Sequence, residues 1–115
     1  MAAPFEELAS LDKLVHEPAR LAILTALSAC DSADFLFLQR LTGLSKGNLS
    51  SHLAKLEAGG LVQVTKRFIG KTPNTSMALT PAGRAAIQAH WQRIEQLRTQ
   101  TSRWRPEDQP PPEHA

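Results

Sequence analysis

The chain has 115 residues, of which 42% are hydrophobic and 21% are charged, and its formal net charge is +2. This length fits one domain with a single core, and the composition is that of an ordinary globular protein. We expect neither a membrane span, because no apolar run reaches the roughly 18–20 residues required, nor a signal peptide, because the first residues are acidic. A cytoplasmic protein is therefore predicted. The single cysteine, Cys30, excludes an internal disulfide, and we expect a buried, inert thiol rather than a redox sensor.

The charges are unevenly distributed along the chain. Residues 1–39 carry two bases and six acids, whereas residues 40–75 carry six bases and one acid. Random variation of the surface would explain this contrast, but a basic middle segment is also typical of an electrostatic footprint for phosphate groups. The six bases are Arg40, Lys46, Lys55, Lys66, Arg67 and Lys71.

The first third of the chain predicts two amphipathic helices. Leucines at helical spacing predict the first helix from Phe5 to about His16. The second helix begins at Pro18, where a missing N–H has no consequence, and extends to about Cys30. A loop at residues 31–34 separates the second helix from the third.

The next two helices have the order of a helix-turn-helix. Asp34 can cap the third helix, whose inward stripe comprises Phe35, Leu38 and Leu41 and which ends at Thr42–Gly43. Ser45 can cap the fourth, which ends at Gly59–Gly60. We expect three leucines of the fourth helix to point inward, because they recur at helical spacing: Leu49, Leu53 and Leu56.

The remainder predicts a hairpin, a closing helix and a tail. Residues 61–68 and 75–79 read as strands with a loop at 70–74, and Thr80–Pro81 begins a fifth helix that extends to about Arg103. The order α-α-α-α-β-β-α predicts a mainly α winged helix-turn-helix over residues 1–104. The proline-rich residues 105–115 are predicted to be a disordered tail.

Packing alone does not explain the outward face of the fourth helix, about residues 45–58. Small residues lie at its centre with hydrogen-bonding residues around them, which suits contact with base edges and phosphates in the major groove. A glycine inside a helix costs about 1 kcal/mol relative to alanine, so Gly47 indicates either close approach to DNA or flexibility at the helix start. His52 is open between a DNA contact and a backbone-bonded structural role. The candidate DNA-binding residues are Lys46, Gly47, Asn48, Ser50, Ser51 and Lys55.

The predicted hairpin, about residues 66–75, is a second candidate contact. Its bases flank Gly70, where a wing can reach the flanking minor groove or its phosphates. A solvated hairpin would carry similar charges, but the preceding helix-turn-helix favours phosphate contact. The candidate residues are Lys66, Arg67, Lys71 and Asn74, with Arg84 in the following helix.

As a whole, this pattern resembles the single-domain winged-helix transcriptional regulators of the MarR and ArsR type. The similarity covers about residues 10–90 and is carried by LTGLSKGNLSSHLAKLEAGGLV, the wing and LTPAGR. The resemblance implies a homodimer, with helices from both chain ends at the interface. In place of the usual bases beside the wing proline, this chain has Thr72 and Asn74, which leaves Lys71 as the main wing contact.

An apolar seam along the fifth helix supports the same dimer. A helix of roughly twenty residues spans about 30 Å, more than a domain of this size covers, so the surplus should meet a second copy. We expect the dimer to read a pseudo-palindromic operator whose half-sites lie about one helical turn apart. The predicted interface residues are Leu8, Leu11, Trp91, Ile94, Leu97 and Trp104.

The predicted function is sequence-specific binding of double-stranded DNA by a transcriptional regulator that acts as a repressor. The alternative is a winged-helix module that binds only proteins, because a fold alone does not decide function. No catalytic constellation or metal-ligand spacing is present, so we expect no enzyme activity, no cofactor and no metal. A small hydrophobic effector of unknown identity could bind near Trp91 or Phe5.

Overall fold

The computed structural model describes residue 3 and residues 5–108. Its elements have the predicted winged-helix order, with one additional short strand before the third helix. The helices are α1 (Glu6–Ala9), α2 (Pro18–Ser28), α3 (Phe35–Thr42), α4 (Lys46–Ala58) and α5 (Pro81–Ser102). The strands are β1 (Ala33–Asp34), β2 (Val62–Ile69) and β3 (Thr72–Leu79), and they form an antiparallel sheet in the order β1-β3-β2. In the described part of the chain, no helix is long and apolar enough to cross a membrane.

One apolar core lies between the helices and the inner half of this sheet. The predicted inward leucines of α4 are buried in it, together with residues from α2, α3, α5 and the strands. The core residues are Val15, Ile23, Leu24, Leu27, Ala33, Leu38, Leu49, Leu53, Leu56, Leu61, Val62, Met77 and Ile87.

The predicted caps of three helices are confirmed. The side-chain oxygens of Asp34, Ser45 and Thr80 each accept a hydrogen bond from the backbone N–H three residues further on, at 2.8, 3.2 and 2.9 Å. Gly43 ends α3 with a φ of 71°, in the left-handed region that glycine adopts readily. These local bonds explain why the starts of α3, α4 and α5 are predictable from sequence.

The first helix is shorter than predicted. The leucine spacing predicts a helix over residues 5–16, but α1 ends at Ala9. The Asp12 carboxylate accepts the N–H of Leu14 at 2.9 Å, a local bond that competes with helical pairing. The Arg20 guanidinium then binds the carbonyl of Leu14 at 2.7 Å and that of the preceding residue at 3.0 Å. These bonds therefore hold the segment as a non-helical link to α2.

The inward stripe of α3 is narrower than predicted. Leu38 is fully buried and Phe35 is partly buried, but Leu41 is 52% exposed. Because α3 has only eight residues and Leu38 is its one buried residue, Leu41 lies at the edge of an open groove beside α2 instead of in the core. The expectation that Leu41 points inward is therefore wrong.

The hairpin has a tighter turn than predicted. Gly70 and Lys71 form a two-residue turn with a φ of 64° at Gly70, and β3 begins at Thr72 rather than at residue 75. Pro73 is tolerated in this strand because β1 pairs with β3 only at residues 76 and 77, so one edge of β3 is open at the proline. The predicted loop at residues 70–74 is therefore mostly strand.

A compact joint connects the base of the hairpin to α5. The N–H of Thr80 donates to the carbonyl of Leu61 at 3.0 Å, and its hydroxyl donates to the carbonyl of Gly60 at 2.7 Å. Gly83, in the first turn of α5, is buried against the same Leu61 carbonyl. The end of β3 is thus bonded directly to the segment that enters β2.

The described part of the predicted tail contains one short helical turn. The proline content predicts disorder over residues 105–115, but Pro106–Asp108 form one turn of 3-10 helix after α5. The rest of this prediction concerns residues 109–115, which lie outside the described residues.

Candidate nucleic-acid interface

Helix α4 is held by its inward face and presents the opposite face to solvent. Leu49 and Leu56 are fully buried and Leu53 nearly so. The outward side chains are all exposed, as the helical period predicts, and belong to Lys46, Asn48, Ser50, Ser51 and Lys55, with Gly47 at the centre. A Cβ added to Gly47 would meet no atom within 4 Å, so packing within this chain does not require a glycine there.

His52 belongs to a polar cluster within the fold. Its Nδ1 lies 3.2 Å from Nη1 of Arg20 and 3.6 Å from Oε2 of Glu17, the residue that caps α2. Burial raises the pKa of Glu17, but hydrogen bonds from the N–H groups of Arg20 and Ala19, with the charges of His52 and Arg20, more than offset it, so the pKa lies below its usual value. Arg20 therefore connects α4, the start of α2 and the segment before it.

The two faces of the hairpin differ in their position relative to α4. Side chains alternate along a strand, and the register pairs Lys66 with Thr75 and Arg67 with Asn74. Lys66 and Thr75 lie on the side of the hairpin that faces α4, whereas Arg67 and Asn74 lie on the other side. The structure therefore brings Lys66, but not Arg67, next to the outward face of α4.

An open groove of about 400 Å³ separates α4 from the hairpin. Its floor is apolar, and its rim carries two of the predicted DNA-binding lysines, one from each element. Glu57 also lies on this rim and is its one acid. The lining residues are Phe35, Lys46, Ser50, Leu53, Ala54, Glu57, Val64, Lys66, Thr75 and Met77.

The cations of the basic middle segment form no internal polar contact among residues 3 and 5–108. In the part of the chain that the structure describes, no side chain among the six bases of residues 40–75 forms an ion pair or a hydrogen bond. Arginines of α5 behave differently, since Arg93 pairs with Glu7 at 2.9 Å and Arg98 pairs with Glu95. The segment that is predicted to meet phosphate is thus the one whose charges are not used within the fold.

Arg84 differs from the other candidate DNA-binding residues. Its Nη1 donates to the carbonyl of Ser28 at 3.2 Å, which ties the first turn of α5 to the end of α2. It does not line the groove between α4 and the hairpin. The structure therefore gives Arg84 a bond within the fold and does not group it with Lys46 and Lys66.

A pair of histidines is present that the sequence pattern does not predict. Nδ1 of His16 lies 3.1 Å from Nε2 of His90, joining the segment before α2 to the middle of α5. Burial of His90 lowers its pKa, and the nearby His16 acts in the same direction against the opposing effect of Asp12. Within residues 5–108 and residue 3, no group of three or more His, Cys, Asp or Glu residues could hold a metal ion.

The predicted dimer residues differ in how much of each the chain itself covers. Leu97 is buried within the chain. The rings of Trp104 and Phe5 pack edge-on, with their centroids 5.4 Å apart. The N-terminal segment of the chain therefore covers this end of α5. Leu8 is 39% exposed and Trp91 is 45% exposed. Leu11 and Ile94 are partly buried. The exposed part of the seam is therefore centred on Trp91 and α1.

Trp91 also borders an open apolar groove. Exposed residues of α3, including Leu41, lie on the far side of this groove. Cys30 lines it and is only partly buried, contrary to the expected buried thiol. The groove is lined by Leu21, Ala22, Thr25, Ala26, Ala29, Cys30, Phe37, Leu41 and Trp91.

Comparison with known proteins agrees with this architecture. The family of winged helix DNA-binding domains matches residues 19–98. An uncharacterised protein of Methanocaldococcus jannaschii is 33% identical over 85 residues, which cover 74% of this chain and 92% of the relative. The family match spans α2 to most of α5 and therefore includes both elements that border the groove.

Solved structures of transcriptional regulators share the fold. A transcriptional regulator homologue from Pyrococcus horikoshii OT3 superposes with a TM-score of 0.75 at 27% identity, covering 84% of this chain and 94% of that one. A MarR-family transcriptional regulator from Silicibacter pomeroyi superposes with a TM-score of 0.62 at 24% identity, covering 91% and 68%. The matched family is one of DNA-binding domains and not of enzymes. The chain therefore belongs to the family of winged helix DNA-binding domains, and its fold is that of the MarR-type transcriptional regulators.

Proposed function

We propose that the protein is a cytoplasmic regulator that binds double-stranded DNA sequence-specifically as a homodimer and represses transcription by occupying its operator. The observation that carries this proposal is the set of unpaired cations on α4 and the hairpin, next to an exposed helix face with Gly47 at its centre. Small and hydrogen-bonding side chains suit base edges in the major groove, and the free lysines suit the phosphates beside them.

The positive charge of the outward face of α4 also favours DNA over a protein as its partner. A helix face that docks on proteins would carry acids or large apolar side chains, whereas the outward face of α4 carries Lys46 and Lys55 among serines and Asn48. A polyanion is the partner that unpaired lysines in this setting fit best, and binding should weaken steeply as salt rises.

Charge reversal of a lysine on α4 or on the hairpin is expected to weaken DNA binding about tenfold or more, because a hydrogen bond to a charged group contributes about 1.5–3 kcal/mol. The unmodified protein first selects duplexes from genomic fragments, and electrophoretic shifts then compare Lys55→Glu and Lys71→Glu with it. Arg103→Glu makes the same change in net charge at the far end of α5 and serves as the control. Equal affinity of both lysine variants and the unmodified protein would contradict the assigned DNA surface.

The dimer completes the proposal, because one chain presents one recognition helix. Helix α5 has 22 residues and so extends about 33 Å, and its exposed Trp91 lies beside the open apolar groove. Burying these apolar surfaces against a second copy would place two α4 helices on half-sites about one helical turn apart.

Disrupting this surface is expected to produce monomers. Sedimentation at micromolar concentration should show a dimer for the unmodified protein and a monomer for Trp91→Glu, because a charge replaces the most exposed aromatic side chain of α5. Phe68→Glu, which changes an exposed aromatic residue on the hairpin, should remain dimeric. A monomeric unmodified protein would exclude the dimer.

A further inference from the structure

The tip of the hairpin exposes apolar side chains that the predicted phosphate contacts do not use. Phe68 is 72% exposed and the neighbouring Ile69 is 59% exposed. Single exposed hydrophobic residues are common on protein surfaces, so exposure alone carries no argument. Their position on the hairpin and the charges around them do.

Strand alternation directs Phe68 to the side of the hairpin that faces α4. Lys66 lines the groove next to α4, and Phe68 lies two residues further along the same face, about 7 Å beyond it. The register places Pro73 directly opposite Phe68, so the two form one apolar pair at the outer end of this face. Ile69 points to the other face, where its register partner is Thr72.

The charged residues nearest to this pair along β2 and the turn are all cations, while one acid, Asp34, lines the shallow pocket beside Pro73. Lys66, Arg67 and Lys71 lie within three residues of Phe68, and the sequence has no Asp or Glu between residues 58 and 94. None of these three cations has an internal partner in the described part of the chain. An apolar tip flanked by these cations fits a partner that carries negative charge and also offers apolar, planar surfaces. A nucleic acid groove has both properties.

We propose that Phe68, backed by Pro73, is an apolar wedge that enters the minor groove next to the major-groove site of α4. This inference rests on the proposed function and adds a specificity-determining residue to it. Apolar side chains inserted at a base step unstack it partially and bend the duplex, and pyrimidine–purine steps deform most readily. The wedge would therefore select flexible steps at the flank of each half-site without a hydrogen bond to any base.

The wedge also accounts for a departure of this wing from the pattern that it resembles. The positions on either side of Pro73 hold Thr72 and Asn74 instead of bases. A wing without a base beside its proline has lost an electrostatic anchor in the minor groove. The Phe68–Pro73 pair offers a non-electrostatic one at the same place.

The test uses the full chain and a 40-bp duplex that the unmodified protein selects from a random-sequence library, with a fluorophore at each end. Phe68→Ala is expected to bind this duplex about tenfold more weakly and to bend it less, as measured by energy transfer between the fluorophores. The salt dependence of its affinity should be unchanged, because no phosphate contact is lost. Lys66→Ala should instead lower the salt slope by about one.

Ile69→Ala is the matched control, since it removes an exposed apolar side chain from the adjacent position on the other face. It should bind and bend the duplex as the unmodified protein does. Equal affinity and bend for Phe68→Ala and the unmodified protein overturn the wedge, and so do equal losses for Phe68→Ala and Ile69→Ala. A library that yields no bound duplex overturns the proposed function and the wedge together, so the two failures are distinguishable.

Discussion

Replacing Gly83 by alanine is expected to lower the free energy of unfolding by about 3 kcal/mol or more, although alanine is the better helix former. A Cβ built on Gly83 would lie 1.9 Å from the carbonyl oxygen of Leu61 and 2.9 Å from its carbonyl carbon. This carbonyl cannot rotate away from the new Cβ without losing the hydrogen bond that it accepts from the N–H of Thr80. The alanine would therefore push α5 off the base of the hairpin.

Urea denaturation at one fixed protein concentration measures this effect, because the stability of the proposed dimer would depend on concentration. Gly47→Ala is the control. Its new Cβ meets no atom within 4 Å, so helix propensity alone acts and the variant should be about 0.5–1 kcal/mol more stable. A Gly83→Ala protein as stable as the unmodified one would show that the joint can relax at little cost.

The second large effect is expected at Gly47 itself, where stability and DNA binding should change in opposite directions. Gly47→Leu adds a side chain at the centre of the outward face of α4, in space that is open in the protein alone. If that face lies against base edges, the leucine holds the helix away from them and removes several contacts at once. We expect a loss of affinity of at least about tenfold, equivalent to about 1.4 kcal/mol, with a Tm no lower than that of the unmodified protein.

Electrophoretic shifts on selected duplexes and thermal unfolding of the same samples provide both readings. Ala85→Leu places the same side chain on an exposed part of α5 and should leave DNA binding unchanged. Undiminished affinity of Gly47→Leu would favour the simpler interpretation, in which Gly47 serves only flexibility at the helix start.

The features that are predictable from sequence are those set by residues close together in the chain. At Asp34, Ser45 and Thr80, the side-chain oxygen of the cap accepts the backbone N–H of the residue three positions later. The inward direction of the α4 leucines follows from the helical period alone. The same locality makes the outward face of α4 predictable. Once one side of α4 is known to be buried, the helical period alone predicts which residues lie on the exposed side.

The features that the sequence does not predict depend on distant residues. The segment before α2 is not helical, because the Arg20 guanidinium binds its backbone carbonyls. Leu41 is exposed because the core along α3 ends at Leu38. The pairing of His16 with His90 spans 74 positions and has no local signature. The orientation of Phe68 depends on the register of β2, because a shift of one residue would turn its side chain to the other face.

The joint at Thr80 has a mechanical consequence for the hairpin. Bonds from one residue to the carbonyls of Gly60 and Leu61 close the base of the hairpin, directly after the end of α4. These two bonds restrain the base of the hairpin relative to the end of α4. If both elements contact DNA as proposed, this restraint favours one spacing between the two contacts, and inserting a single base pair between them would shift them by about 3.4 Å and roughly a tenth of a turn.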